Sequence, residues 1–246
     1  HYCIAKVSGM TKNSTQSLVL NGQISRWHTF TSQQAINEAT LQRILALAEE
    51  AIAARGAFTI VLAGGNTPKQ VYELLRHAKA DWSKWHVYHN DDRCLPADHP
   101  ERNSLMARQA WLDHVAIPAD QIHDIPAERG PVEGAAAYAK TLQGLGEFDL
   151  VLLGLGEDGH TASLFPGHTW DDSVDAFPVY NSPKPPAERV SISARRLSHT
   201  RAVIFLVTGA GKQEAVNNWR SGVAIPATVI KPANGVDIYV FGVALD

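Results

Sequence analysis

The chain has 246 residues, of which 45% are hydrophobic and 19% charged, a composition typical of globular proteins and not of disordered ones. Its 25 acidic and 22 basic residues give a formal net charge of −3, which argues against a bulk nucleic-acid binder or a binder of anionic membranes. The sequence contains no apolar run of about 18 residues, so we expect no membrane-spanning segment.

The N-terminal residues carry no apolar core of the kind found in signal peptides. A polar run follows Met10, which leads us to expect a leader at residues 1–9 and a single domain at residues 10–246. The two cysteines, Cys3 and Cys94, provide no disulfide framework. We therefore expect a reducing, cytoplasmic location.

The first predicted helix begins at a capping box in which Thr31 caps and Gln34 reaches back, and it ends at Gly56. A buried strand is predicted next, at residues 58–62, because a short apolar run there is rich in β-branched residues. A second helix is predicted directly after a glycine turn, with Thr67 as its N-cap.

The same alternation of strands and helices continues to the end of the chain. Further strands are predicted at 85–88, 148–153, 189–193, 202–207 and 236–242, and further helices at 103–115, 131–145 and 212–219. Buried apolar strands that alternate with amphipathic helices predict an α/β fold, a single domain with an open, mostly parallel sheet flanked by helices.

Ligands of such sheets bind beyond the carboxyl ends of the strands. Three glycine-rich segments follow predicted strands at that edge, namely residues 63–68, 154–160 and 208–212. Their coincidence predicts a ligand site where the three segments meet.

The first of these segments suits a phosphate. Gly64 and Gly65 let the backbone approach a ligand closely, and the following helix N-terminus offers free N–H groups and a partial positive charge. Thr67 adds a hydroxyl. The segment lacks the G-x-x-x-x-G-K-[ST] spacing of a P-loop. A strand-to-helix turn that merely needs glycine explains the same residues, so spacing alone leaves both interpretations open.

The second segment carries a candidate general base, His160. An imidazole titrates near neutral pH, and Asp158 two residues earlier can orient it. The alternative is a surface histidine, since the chain has 11 of them. Residues 154–159 also contain G-x-G-x-x-G, but Glu157 and Asp158 would then face a pyrophosphate, which disfavours a dinucleotide site.

The segment after the predicted strand 85–88 contains Arg93, whose guanidinium can bind a phosphate or stabilise an oxyanion. The alternative is a solvated charged loop. The neighbouring candidates for a metal site are His86, His89, Asp91 and Asp92. We expect no metal, because no zinc motif is present and acids next to an arginine more simply form ion pairs.

Three further basic residues stand near predicted loops: Lys184, Arg189 and Lys212. Lys212 follows a strand by a few residues and begins a helix, as a phosphate ligand would. Taken singly, each of the three is also explained as an ordinary surface charge.

Together these segments resemble the 6-phosphogluconolactonase family, in family order from about residue 25 to 246. The matching stretches are 62–68, 91–96, Asn103, 154–167, 182–186, 189–191, 209–212 and 226–227. The run D-G-H-T-A-S-L-F-P-G at 158–167 is the most specific of them. Two departures from the family pattern are visible: Asp92 replaces the usual glutamate, and Ala63 and Asn66 replace serines.

The resemblance implies hydrolysis of 6-phosphoglucono-δ-lactone to 6-phosphogluconate, the second step of the oxidative pentose phosphate pathway, with no metal and no cofactor. It implies that His160 activates a water, that Asp158 holds the imidazole, and that Arg93 lies near the reacting end or the phosphate. The residues that it implies for substrate binding are Gly64, Gly65, Asn66, Thr67, Lys184, Arg189 and Lys212. The expected partner is this small sugar-phosphate lactone, without nucleic acid or membrane, for a monomer or small homo-oligomer.

Two other functions compete with this interpretation. A glucosamine-6-phosphate deaminase shares the glycine loop and the D-G-H run, but its run continues toward I-A-F-N-E, unlike residues 161–165 here. A sugar-phosphate sensor of a transcription regulator would need a helix-turn-helix domain, and residues 1–30 are too short and insufficiently basic for one.

Overall fold

A computed structural model of the chain describes residues 15–246. The predicted leader and Cys3 lie outside the described residues. The strands are β1 (Thr15–Leu20), β2 (Gln23–Phe30), β3 (Phe58–Leu62), β4 (Trp85–His89), β5 (Asp91–Arg93), β6 (Leu150–Gly154), β7 (Ala176–Val179), β8 (Arg189–Ile192), β9 (Val203–Thr208) and β10 (Val236–Phe241). The helices are α1 (Gln33–Arg55), α2 (Asn66–Leu75), α3 (Asn103–Ala110), α4 (Pro131–Leu142), α5 (Ala194–Ser198) and α6 (Gln213–Arg220).

Seven strands form one open sheet in the order β1-β2-β10-β9-β6-β3-β4. The strands from β2 to β4 in that order pair in parallel, and β1 is added antiparallel to β2 at one edge. The predicted α/β fold with a mostly parallel sheet is therefore confirmed. Between residues 15 and 246, no helix is long and apolar enough to cross a bilayer.

The central strands are buried on both faces, which explains why they read as continuous apolar runs. In β6, Leu150 and Leu152 pack in the core beneath α1 and α2, whereas Val151 and Leu153 pack in the core on the opposite side with α4 and α6. Because both faces are covered, the carboxyl edge of the sheet is left as the place where loops can surround a ligand.

A second sheet, which the sequence pattern did not predict, stands at that edge. It is antiparallel, with the order β5-β8-β7. Asp91 pairs with Ser191, Asp92 with Val190, and Arg93 with Arg189. Side chains alternate across a strand, so Asp91 and Arg93 share one face and Asp92 lies on the other.

Several predicted boundaries are wrong by short distances, among them the end of the helix predicted at 131–145 and the start of the strand predicted at 148–153. Three others have a clear physical cause. Ser32, and not Thr31, caps α1, since its extended backbone lets Oγ accept from the Ala35 N–H at 2.9 Å. Gly65, and not Thr67, is the N-cap of α2. Helix α3 ends at Ala110 rather than near residue 115, because the fully buried Trp111 leaves helical geometry.

Candidate active site

A cavity of about 470 Å³ opens at the carboxyl edge of the large sheet. The loops that follow β3, β6 and β9 meet there, as do strand β5 and the start of β8. Of the predicted site residues, it is lined by Gly64, Gly65, Asn66, Thr67, Arg93, His160, Lys184, Arg189 and Lys212. Asp158 does not line the cavity but contacts His160. The ten predicted residues thus converge on one place.

The wall after β3 presents backbone N–H groups to the cavity. Gly65 has φ 107°, in the left-handed region that favours glycine, and no side chain caps the helix that begins at Asn66. The first intrahelical bond runs from the Lys69 N–H to the Gly65 carbonyl. The N–H groups of Asn66 and Thr67 therefore remain available for an anion.

The hydroxyl of Thr67 is already committed within the protein. Its Oγ1 accepts from Gln33 Nε2 at 3.2 Å and is hydrogen-bonded to Thr208 Oγ1 at 3.0 Å. This pairing ties the start of α2 to the end of β9. Thr67 thus positions the anion-binding turn, and its backbone N–H is the group that faces a ligand.

Asn103 accounts for the glycine at position 64. A Cβ atom added there would lie 2.7 Å from Asn103 Cγ, too close for any side chain. Asn103 is held in place because its Nδ2 donates to Asp91 Oδ1 at 3.2 Å. The glycine therefore lets the turn after β3 pack directly against the amide at the start of α3.

His160 and Asp158 form the central pair of the site. His160 Nδ1 lies 2.5 Å from Asp158 Oδ1, and the same oxygen accepts from the His160 backbone N–H at 3.0 Å. The imidazole also contacts the Phe165 ring, with centroids 4.6 Å apart. Its Nε2 has no hydrogen-bond partner within residues 15–246, and His160 lines the cavity.

The electrostatics keep this imidazole neutral near pH 7. Burial lowers the pKa of His160, and this outweighs the hydrogen bond and charge of Asp158, which raise it. Burial raises the pKa of Asp158, but its hydrogen bonds to His160 and the nearby charges of His160 and Lys184 together lower it by more, so the net shift is downward. Asp158 is therefore ionised and accepts the Nδ1 proton, which leaves a lone pair on Nε2.

Arg93 and Arg189 occupy directly opposite positions on β5 and β8. Arg189 is buried, and its Nε and Nη2 groups donate to the backbone carbonyl oxygens of residues 184–186. Burial lowers the pKa of Arg189, and the nearby charge of Arg93 lowers it further, although Asp91 opposes this. Both arginines line the cavity, so an anion bound between them would offset the repulsion of their two like charges.

Lys184 and Lys212 bring two more positive charges to the cavity. Burial lowers the pKa of the Lys212 ammonium, and Lys184 lowers it further, while Glu157 and Asp158 raise it. Two ammonium groups that repel each other at one cavity wall are the arrangement expected for an anionic ligand.

The neighbouring acids Asp91 and Asp92 have different surroundings. Asp92 is fully buried, and its oxygens accept from the N–H groups of Arg93, Asn103 and Ser104 and from Arg102 Nε. It holds the start of α3 and neutralises a buried arginine. Asp92 therefore has a structural role here, although it is shorter than the glutamate usual at this position. Asp91 lines the cavity and accepts from Ser163 Oγ at 2.6 Å.

The candidate metal ligands do not converge. His86 stacks on His123 and His89 lies 3.4 Å from Asp124, whereas Asp91 bonds to Ser163 and Asp92 to Arg102. Over residues 15–246, no group of three or more histidine, cysteine, aspartate or glutamate side chains is placed to hold a metal ion.

Sequence reasoning assigned no substrate-binding role to five polar residues of the cavity wall: Asn90, Asp91, Asn103, Thr161 and Thr208. Asp91 was considered only as a metal ligand or as an ion-pair partner of the neighbouring arginine. Asp91 could have been found, because it lies two positions before Arg93 and side chains two apart share a face of a strand. No local pattern distinguishes Asn90 or Thr208 from other residues that follow a strand.

Comparison with known proteins gives consistent matches. A family model described as "Glucosamine-6-phosphate isomerases/6-phosphogluconolactonase" matches residues 31–239. The 6-phosphogluconolactonase of Nostoc sp. is 42% identical over 193 residues, covering 75% of this chain and 80% of that protein. The Synechocystis sp. 6-phosphogluconolactonase is 41% identical over 194 residues, with the same coverage.

Solved structures agree in fold. The crystal structure of 6-phosphogluconolactonase from Thermotoga maritima superposes with a TM-score of 0.83 at 24% identity, covering 88% of this chain and 99% of that one. The 6-phosphogluconolactonase from Trypanosoma brucei gives a TM-score of 0.79 at 28% identity, covering 87% of this chain and 95% of that one.

Proposed function

Because this chain belongs to the glucosamine-6-phosphate isomerase/6-phosphogluconolactonase family, we propose that it hydrolyses 6-phosphoglucono-δ-lactone to 6-phosphogluconate. The similar proteins of Nostoc and Synechocystis carry the name of that activity. One observation of the site carries the proposal: a neutral imidazole, oriented by a carboxylate, shares a cavity with four cationic side chains.

The cationic side chains account for a phosphorylated substrate. The phosphate binds at the N–H groups of Asn66 and Thr67, with Arg189 and Lys212 neutralising its charge and Lys184 close to Lys212. A phosphate fixed in this way leaves the sugar ring in the remaining part of the cavity, where His160 lies.

His160 acts as the general base. Asp158 holds the Nδ1 proton, so Nε2 takes a proton from a water molecule, and that water attacks the C1 carbonyl of the lactone. The resulting imidazolium lies beside an ionised Asp158, which stabilises the positive charge as it develops. No residue needs to form a covalent intermediate in this sequence of steps.

The attack places a negative charge on the former carbonyl oxygen. Arg93 is the cation of the cavity assigned to that oxyanion, since Arg189 and Lys212 are occupied by the phosphate. Collapse of the tetrahedral intermediate breaks the bond from C1 to the ring oxygen. The imidazolium returns its proton to that oxygen, which leaves the open-chain acid and a neutral His160.

The test uses freshly prepared 6-phosphoglucono-δ-lactone, with product followed by a coupled NADP-dependent dehydrogenase and spontaneous hydrolysis subtracted. We expect the wild-type chain to accelerate hydrolysis and His160→Ala to lose nearly all of that acceleration. Acceleration by both proteins would keep the reaction but remove His160 as the base. A folded wild-type chain without acceleration, but with ammonia release from glucosamine 6-phosphate, would replace the lactonase with the deaminase.

A further inference from the structure

Beside Arg93, one part of the cavity wall presents hydrogen-bond acceptors. It consists of Asn90, Asp91 and Asn103, and we call it the acceptor wall. The carboxylate of Asp91 is bonded only to neutral donors, Ser163 Oγ and Asn103 Nδ2. A phosphate is repelled by such a surface, whereas the hydroxyl groups of a sugar are its natural donors.

Asn90 is the member of this wall whose orientation is fixed most tightly. It follows β4, and its backbone N–H donates to the carbonyl oxygen of Leu62 at 2.9 Å. Its carbonyl oxygen accepts from the Ile192 N–H at 2.8 Å, and its Nδ2 donates to the carbonyl oxygen of Leu152 at 3.1 Å. These three bonds tie Asn90 to β3, β8 and β6 at once.

The bond to Leu152 decides which end of the Asn90 amide faces the ligand. A carbonyl acceptor binds the NH₂ end, so the amide cannot be turned over without losing that bond. The Oδ1 atom then accepts no hydrogen bond from residues 15–246. Polar atoms of these residues that lack a partner and are also sealed from solvent include Arg93 Nε but not Asn90 Oδ1, so Oδ1 is accessible. Asn90 is only 2% exposed and lines the cavity, so its free oxygen opens into that cavity.

We infer that Asn90 determines substrate specificity, because its Oδ1 accepts a hydrogen bond from one ring hydroxyl of the bound sugar lactone. The inference rests on the proposed lactonase function. With the phosphate held at α2 and the C1 carbonyl near His160, the hydroxyls at C2, C3 and C4 are the donors that the lactone brings to the acceptor wall. A buried acceptor that loses its donor is left unpaired, so the site rejects a sugar that lacks that hydroxyl.

The experiment compares kcat/KM for 6-phosphoglucono-δ-lactone and its 2-deoxy, 3-deoxy and 4-deoxy analogues. For the wild-type chain we expect a loss of roughly tenfold on one analogue, the usual value of one neutral hydrogen bond left unmade. Asn90→Leu, which is close in size, is expected to lose roughly tenfold on the full lactone and nothing further on that same analogue.

Two more variants separate recognition from folding. Asn90→Ser has a shorter polar side chain, whose oxygen lies farther from the ligand. It provides the same comparison of the four lactones if the leucine variant does not fold. Asn234→Leu is the matched control, because Asn234 also donates through Nδ2 to a backbone carbonyl, that of Arg201, but lies away from the cavity. It is expected to keep the wild-type selectivity.

Equal losses by the Asn90 variants on all four lactones would overturn the inference and make Asn90 a structural residue. Wild-type kcat/KM values that are equal for the four lactones would overturn it as well. A folded wild-type chain that accelerates none of them would overturn the proposed function, and the inference with it. An active wild-type chain therefore distinguishes the two failures.

Discussion

A methyl group at position 156 tests whether the His160–Asp158 pair is the catalytic centre. Gly156 lies beneath this pair, and a Cβ atom added there would overlap Nδ1 and Cε1 of His160 and lie 2.8 Å from Asp158 Oδ1. The backbone at Gly156 is outside the left-handed region, so alanine fits its conformation. Gly156→Ala therefore moves the pair without removing either of its members.

The size of the effect follows from this overlap. To reach ordinary van der Waals contact, the imidazole must retreat by more than about 1 Å, and a displacement of that size in a reacting group costs about 100-fold in rate. The three atoms nearest to the added Cβ all belong to His160 and Asp158, and none belongs to the phosphate-binding residues Asn66, Arg189 and Lys212. We therefore expect kcat to fall about 100-fold while KM changes by less than about threefold.

Steady-state kinetics with the lactone, together with a thermal melt, measure the effect. Gly146→Ala is the control, because a Cβ atom there meets nothing within 4 Å and its φ is also outside the left-handed region. We expect it to keep wild-type kcat. A folded Gly156→Ala enzyme with wild-type kcat would refute the assignment of the pair, since no catalytic imidazole tolerates such a displacement.

Three further changes have distinct expected outcomes. Asp158→Asn removes a charge that raises the pKa of His160, so the acid limb of the pH–kcat/KM profile is expected to move to lower pH and kcat to fall. An acid limb that does not move would show that it does not report the titration of His160. Lys212→Ala is expected to raise KM about tenfold with kcat nearly unchanged, and equal KM values would remove it from the phosphate site. Asp92→Asn removes the buried charge partner of Arg102 and leaves only the half-exposed Glu128, which costs about 3–5 kcal/mol and lowers Tm by about 10 °C; an unchanged melt would contradict this role.

Five of the seven strands of the main sheet and its three ligand loops were predictable because their signals are local, whereas β1 and β2 were not predicted. A strand buried on both faces reads as an apolar run, and the glycine loops directly follow β3, β6 and β9. The carboxyl-edge rule then brings residues more than a hundred positions apart in the chain to one place. His160 needed only its position after such a strand, together with the chemistry of imidazole.

The small sheet could not be predicted in the same way. Strand β5 has three residues, all charged, and β7 has four and includes Pro178, so neither shows a hydrophobic period. Asp91 pairs with Ser191, a hundred positions later, and nothing in either segment identifies the other. The displaced cap of α1 has a different cause: Thr31 and Ser32 are both good N-caps, and only the backbone conformation decides between them.

The orientation of Asn90 shows a limit of another kind. Its residue type and its place after a strand are visible in the sequence, but an amide carries a donor and an acceptor and either can face a ligand. The choice is made by the carbonyl oxygen of Leu152, a group that every residue possesses and that no residue type marks. Recognition by such an amide is therefore a tertiary property, even where the recognising residue lies beside an identifiable motif.

The opposed arginines of the small sheet show why the site and the fold have different requirements. Like charges at directly opposite positions of an antiparallel pair cost about 0.2–1 kcal/mol. Arg93 adds a buried Nε without a partner among the described residues, a group that costs about 1–3 kcal/mol when left unsatisfied. Neither cost is needed to hold β5 against β8, since neutral side chains would pair there more stably. The first of these costs falls on the wall of the cavity, where a bound anion relieves it, whereas the Nε atom of Arg93 is sealed from the cavity. The repulsion lowers the stability of the free protein, and its relief on binding adds to the affinity for a negatively charged ligand or transition state. The two arginines at this wall therefore serve binding and not folding.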